Sequence, residues 1–157
     1  GLYYHYGIPK YMLPEKMSGI FKHHVLLPKE PLLRGFDDIL RAPHSRHTEV
    51  RAADISKDER LTILAESHEA GVHIVEAMNG RKIFVLGHGE YDADTLKKEY
   101  ERDLAKGMNP EVPRHYFRND DPNADVLVTW KAHANLFYTN WVNYYVYQTT
   151  PYYLDKM

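Results

Sequence analysis

The sequence KIFVLGHGEYD, residues 82–92, joins a short apolar run to a glycine and then to polar side chains. Residues 83–86 are rich in β-forming side chains, which predicts a strand buried on both faces of a parallel or mixed sheet. Gly87 is expected to end that strand. Ligands and catalytic groups of open α/β sheets gather beyond the carboxyl ends of the strands, so this stretch predicts a functional edge.

His88 and Glu90 follow the predicted strand with one residue between them. Residues two apart on an extended backbone point to the same side, so the two side chains could meet. The carboxylate would then hold one ring nitrogen while the other acts as a base, as in a triad of nucleophile, histidine and acid. The same spacing recurs at His47 and Glu49, which follow no predicted strand. The functional interpretation of His88 and Glu90 therefore depends on their position after a buried strand rather than on their spacing.

Composition restricts the class of protein. The 157 residues are 43% hydrophobic and 27% charged with a net charge of −2, which suits one domain with a core. Interleaved acidic and basic residues argue against a nucleic-acid partner, and neither a membrane-length apolar run nor a signal peptide is visible. The chain has no cysteine, which excludes disulfides and thiolate metal sites within it and makes the cytoplasm the expected compartment.

Hydrophobic periodicity predicts an alternation of strands and helices. Strands are expected at 20–27, 61–65, 72–77 and 82–86, and helices at 1–6, 93–106 and 130–148. Asn79-Gly80 predicts a hairpin turn between the last two strands. The helix at 93–106 should bury Leu96, Tyr100 and Leu104, which leaves Arg102 on a solvated face by periodicity alone.

Several polar segments are interpreted as connections. Residues 10–16 are punctuated by proline, and residues 42–50, APHSRHTEV, are expected to form an irregular loop suited to a small polar ligand. His23 and His24 are adjacent on a predicted strand and therefore face opposite sides, so they cannot readily chelate one ion. A metal site made of His44, His47 and His88 is the lowest-ranked alternative, and no metal is expected.

Seven motifs occur in an order that resembles a known family. They are YGIPKY at 6–11, EKMSG at 15–19, RGFDD at 34–38, APHSRHTEV at 42–50, GHGEYD at 87–92, EYERD at 99–103 and NWVNYYVYQTTPY at 140–152. The chain resembles the C-terminal half of bacterial homoserine O-acyltransferases, the homoserine O-succinyltransferases and O-acetyltransferases of methionine biosynthesis. The resemblance implies a flavodoxin-like α/β domain of the class I glutamine amidotransferase type, with a mixed sheet flanked by helices. Residues 1–157 would be the C-terminal half of that single domain.

The resemblance also implies roles for five residues. His88 matches the catalytic base and Glu90 its acidic partner, while Lys16, Ser45 and Arg102 match substrate-binding positions, with Arg102 on the amino acid's carboxylate. An ideal helix from residue 92 would carry residue 102 about 15 Å along its axis, away from the imidazole.

The implied reaction moves an acetyl or succinyl group from acyl-CoA to the hydroxyl of L-homoserine through a cysteine acyl-enzyme, with no other cofactor. The cysteine is expected just upstream of Gly1, so the N-terminal half of the same protein is an expected partner, and a homodimer is left open. Gly89 stands where many relatives carry proline, which loosens the backbone between the histidine and the glutamate. The alternative is a catalytically incomplete amidotransferase-like domain that acts as a binding or regulatory module.

Overall fold

A five-stranded sheet organises residues 1–149, which are the residues described in the computed structural model. The strands are β1 (Tyr11–Val25), β2 (Ile39–Glu49), β3 (Leu61–Ser67), β4 (Gly71–Ala77) and β5 (Lys82–Val85), in the order β2-β1-β3-β4-β5. The helices are α1 (Leu2–Tyr6), α2 (Ala52–Ile55), α3 (Thr95–Ala105), α4 (Lys131–Trp141) and α5 (Tyr147–Thr149), with a π-helical turn at Val142–Val146. Short 3-10 turns lie at Pro31–Leu33, Met78–Gly80 and Arg118–Asp120.

Strand direction departs from the expectation. The predicted α/β class is confirmed, but every strand pair within residues 1–149 is antiparallel, and the parallel contact found there is the isolated bridge between Gly19 and Arg114. The predicted hairpin is present, with Asn79 and Gly80 at φ of 53° and 88°. Such a short connection allows only antiparallel pairing, because a parallel pair needs a long crossover. The strand β5 is therefore half-buried at the sheet edge, with Val85 exposed, rather than buried on both faces.

Two segments predicted to be connections are in fact strands. Residues 11–16 begin β1, and residues 42–49 lie in β2, where Ser18 pairs with Ser45. Proline is tolerated in both, since Pro14 falls in the interruption of the ladder between residues 12 and 17 and Pro43 lies on an edge strand. The pairing of two distant segments thus overrides their local turn-like composition.

Apolar side chains form three clusters on the faces of the sheet. The first is built on Leu2, Ile8, Val50, Ile55, Leu61, Val72, Val75 and Ala77; the second on Leu32, Leu33, Leu40, Ala42, Leu64, Ala65 and Ile74; the third on Ile20, Leu96, Tyr116, Phe117 and Trp130. The third cluster fixes the start of α3 through Leu96 and thus places the helix that borders the site.

Both long helices differ in detail from their predictions. Of the stripe expected on α3, Leu96 is buried, Leu104 is exposed, and Asp103 is turned inward instead. The helix expected at 130–148 is interrupted by the π-helical turn after Trp141, which is 38% exposed. Residues 150–152 of the motif at 140–152 lie outside the described residues. Within residues 1–149, no helix has the length and apolar character needed to cross a bilayer.

Candidate active site

His88 and Glu90 lie on the turn that follows β5, and their side chains meet. Nδ1 of His88 is 2.9 Å from Oε1 of Glu90. An ionised carboxylate can only accept a hydrogen bond, so Nδ1 carries the proton and the lone pair is left on Nε2. The contact forms even though Gly89 separates the two residues. The geometry is that of an oriented base, while the catalytic role of both residues stays a prediction.

The ring of Tyr91 stacks on the imidazole of His88. The Tyr91 and His88 rings are stacked, with centroids 4.6 Å apart and planes within 6°. The backbone N–H of Tyr91 donates to the carbonyl of His88 at 3.1 Å, which closes the turn. Burial, followed by the charge of Glu99, raises the pKa of Tyr91, so its hydroxyl remains protonated and able to donate.

Lys16, Ser45 and Arg102 converge on a pair of carboxylates of α3. Ser45 Oγ donates to Glu99 Oε2 at 2.7 Å, and Lys16 Nζ lies 3.3 Å from Asp103 Oδ2 and 3.7 Å from Glu99 Oε2. The guanidinium of Arg102 donates twice to Asp103 Oδ1, at 3.0 and 2.9 Å. These donors, Arg102 foremost and then Lys16, hold the pKa of Asp103 below its ordinary value. The three residues therefore share one polar network.

Glu99 links this network to the histidine. Its Oε1 accepts from the Tyr91 hydroxyl at 3.3 Å, and that tyrosine stacks on His88. Arg102 is thus connected to the site through side chains, despite its distance along the helix. Tyr91, Glu99 and Asp103 were not identified as site residues from the sequence. The spacing of residues 99 and 103, one helical turn apart in EYERD, was the available signal.

A cavity of about 500 Å³ opens beside His88 and Glu90. Its walls are mainly apolar and include Leu40, Ile74 and Phe137, from β2, β4 and α4. A pocket that combines apolar walls with a few polar groups is the usual form of a small-molecule site. The oriented imidazole therefore faces a space large enough for a small substrate group.

Three buried histidines lie beneath the site. One ring nitrogen from each of His23, His44 and His73 lies within 4.8 Å of the other two, and Nε2 of His23 is 2.9 Å from Nε2 of His44. His44 is therefore grouped with His23 and His73, and not with His47 and His88 as in the metal-site alternative. The prediction that His23 and His24 face opposite sides of the strand is confirmed, because His23 is buried and His24 is exposed.

These histidines are electrically neutral. Burial lowers the pKa of His23 to about 4 and also lowers the pKa values of His44 and His73. The charge of Arg46 lowers all three pKa values further. The group has no carboxylate, and a divalent metal ion would enter a field that is already positive.

Comparison with known proteins gives a consistent family. A family model described as homoserine O-succinyltransferase matches residues 1–152. A homoserine O-acetyltransferase of Bacillus cytotoxicus is 60% identical over 154 residues, covering 98% of this chain and 51% of that protein. One from Geobacillus kaustophilus is 61% identical over 152 residues, covering 97% and 50%. The chain spans about half the length of the curated relatives it matches.

The solved structures bear on the fold. The crystal structure of the protein SMU.1228c is 15% identical with a TM-score of 0.54, and the match covers 87% of this chain and 55% of that one. A glutamine amidotransferase of Thermotoga maritima is 18% identical with a TM-score of 0.49, over 64% and 42%. The first of these shares the fold. Because the family model matches nearly the whole chain, the chain belongs to the homoserine O-succinyltransferase family.

Proposed function

We propose that the protein containing this chain transfers an acyl group from acyl-CoA to the hydroxyl of L-homoserine, in cytoplasmic methionine biosynthesis. The observation that carries the proposal is the 2.9 Å contact between His88 Nδ1 and Glu90 Oε1 beside a cavity, in a chain of this family. Relatives about 60% identical are named acetyltransferases, so acetyl is the group we expect.

The chemistry requires a nucleophile from outside these 157 residues, which contain no cysteine. A cysteine thiol would give its proton to Nε2 of His88, and the thiolate would attack the thioester carbonyl. The carbon–sulfur bond to coenzyme A then breaks, and the leaving thiolate takes the proton from the imidazolium. Glu90 holds the proton on Nδ1 and stabilises the positive charge that forms on the ring.

The second half-reaction uses the same base. Nε2 of His88 removes the proton of the homoserine hydroxyl, and the oxygen attacks the acyl-enzyme carbonyl. The acyl–sulfur bond breaks, and the cysteine thiolate recovers the proton from the imidazolium. The apolar cavity beside the ring is the space we assign to the acyl group.

The polar network on α3 suits a zwitterionic amino acid. Arg102 offers a planar fork for the substrate carboxylate, and its side chain is 55% exposed and therefore accessible. Lys16 adds a second positive charge, and Glu99, already fixed by Ser45 and Tyr91, can accept from the substrate ammonium. We propose that these groups orient homoserine with its hydroxyl toward His88.

The test is coenzyme A release by the full-length enzyme, with acetyl-CoA or succinyl-CoA and with or without homoserine. His88→Ala should lower kcat by about 10³-fold, the scale of a lost general base. His24→Ala, at an exposed histidine of β1, is the matched control and should leave kcat unchanged.

Near-normal kcat in His88→Ala would rule out this histidine as the base. An intact enzyme that binds homoserine without turnover would instead support a binding or regulatory module.

A further inference from the structure

Three successive backbone amides hold the turn that carries His88. The N–H of Leu86 donates to the carbonyl of His73 at 2.8 Å, and the N–H of His88 donates to the carbonyl of Pro43 at 2.8 Å. Between them, the N–H of Gly87 donates to the ring nitrogen Nδ1 of His73 at 3.1 Å. One residue of β4 therefore accepts two of the three bonds, one through its backbone and one through its side chain.

The imidazole of His73 is packed directly against this backbone. A Cβ added at Gly87 would lie 2.8 Å from Cε1 and 2.9 Å from Nδ1 of His73, and 2.9 Å from the carbonyl oxygen of Pro43. Contacts below 3.0 Å are not tolerated without movement, and one of these neighbours is backbone. Glycine is required here because the ring approaches so closely.

The ring of His73 packs against two other imidazole rings. His73 is buried, its centroid lies 4.5 Å from that of His23, and the His44 ring meets it edge-on at 5.5 Å. Burial lowers the pKa of His73, so the ring is neutral and one nitrogen keeps a lone pair. A protonated ring would have no acceptor to offer Gly87.

We propose that His73 is a positioning residue for acyl transfer, which orients His88 by accepting the Gly87 N–H at Nδ1. Although His73 also lines the cavity beside His88, we assign its role to the hydrogen bond with Gly87 rather than to contact with the reacting atoms. Once Gly87 and its two neighbours are fixed, the His88 side chain leaves the turn toward Glu90 and the cavity. A neutral ring also adds no charge beneath the imidazolium that forms at His88. This role rests on the proposed function of His88.

Two substitutions of His73 in the full-length enzyme distinguish the effect of its hydrogen-bond acceptor from the effect of its volume. His73→Phe fills the volume without an acceptor, and His73→Asn places an amide oxygen near the position of Nδ1. We expect the phenylalanine to lower kcat by about 10- to 100-fold, as for a misplaced catalytic group, with KM for both substrates changed less than about threefold. The asparagine should restore much of kcat.

The matched control is His23→Phe, which alters the same buried cluster but leaves the hydrogen bond to Gly87 in place. Its kcat should stay within about threefold of the parent. An equal loss in His23→Phe and His73→Phe, or an asparagine variant as slow as the phenylalanine variant, would overturn the proposal.

A second measurement needs neither turnover nor a folded variant. Nitrogen NMR of the ¹⁵N-histidine-labelled full-length protein at pH 7 should show His73 as the neutral tautomer with its proton on Nε2. A proton on Nδ1, or a charged ring, would overturn the role of His73. If the protein transfers no acyl group, the proposed function fails. The tautomer of His73 still tests separately whether its Nδ1 accepts the hydrogen bond from the Gly87 N–H.

Discussion

Acidification should destabilise the protein through its buried histidines. His23 has a pKa of about 4 in the folded chain against 6.5 for the free side chain, because burial disfavours the charged ring. Between these two pKa values the unfolded state binds more protons, so the free energy of unfolding falls as the pH falls. From pH 7 to pH 4.5, the protonation of His23 alone should lower the free energy of unfolding by about 2 to 3 kcal/mol. His44 and His73 shift in the same direction.

The assay is urea unfolding of the full-length protein at pH 7 and pH 4.5, for the parent and for His23→Phe. The phenylalanine cannot be protonated, so the variant should lose about 2 to 3 kcal/mol less stability than the parent over this pH range. His24→Phe, at the exposed neighbouring position, should show the parent's full pH dependence. If the parent and His23→Phe lost the same stability on acidification, the assignment of a buried neutral ring would be wrong.

Two further predictions concern the substrate network. Glu99→Gln removes the negative charge that we assign to binding the substrate ammonium, so KM for homoserine should rise about 10- to 100-fold. The release of coenzyme A in the first turnover, measured without homoserine, should not change. A slower first turnover would contradict the assignment. Arg102→Lys keeps the charge but loses the planar fork, so KM for homoserine should rise about tenfold while KM for acyl-CoA stays constant. An unchanged KM for homoserine in steady-state kinetics would place the substrate carboxylate elsewhere.

The contact between His88 and Glu90 was predictable from the sequence because it depends on local order. The apolar run and the glycine indicated where the two side chains lie, but the contact was expected on an extended backbone and forms instead on the turn closed by the Tyr91 N–H. The α/β class was predictable for a similar reason, since hydrophobic periodicity is a local signal. The hairpin at Asn79-Gly80 belongs to the same group.

Features that depend on distant pairings were not predictable. Ser45 was expected on a loop because residues 42–50 are polar and contain proline, yet pairing with β1 makes them a strand. The buried histidines come from β1, β2 and β4, and no spacing in the sequence indicates that they meet. On α3, periodicity predicted that Leu104 would be buried, but Asp103 is buried instead and contacts Lys16 from β1. Each outcome is decided by an interaction between elements far apart in the chain.

Three consecutive residues of β2 connect the two ends of the site. The Pro43 carbonyl holds the amide of His88, His44 joins the buried rings, and Ser45 binds Glu99. Along a strand each residue advances about 3.3 Å, and an extended backbone cannot stretch further. We therefore expect this strand to set the distance between the proposed base, His88, and Glu99, the carboxylate that we propose for the substrate amine. If homoserine binds as we propose, an amino acid one methylene shorter or longer should place its hydroxyl away from His88 and be a poorer acceptor.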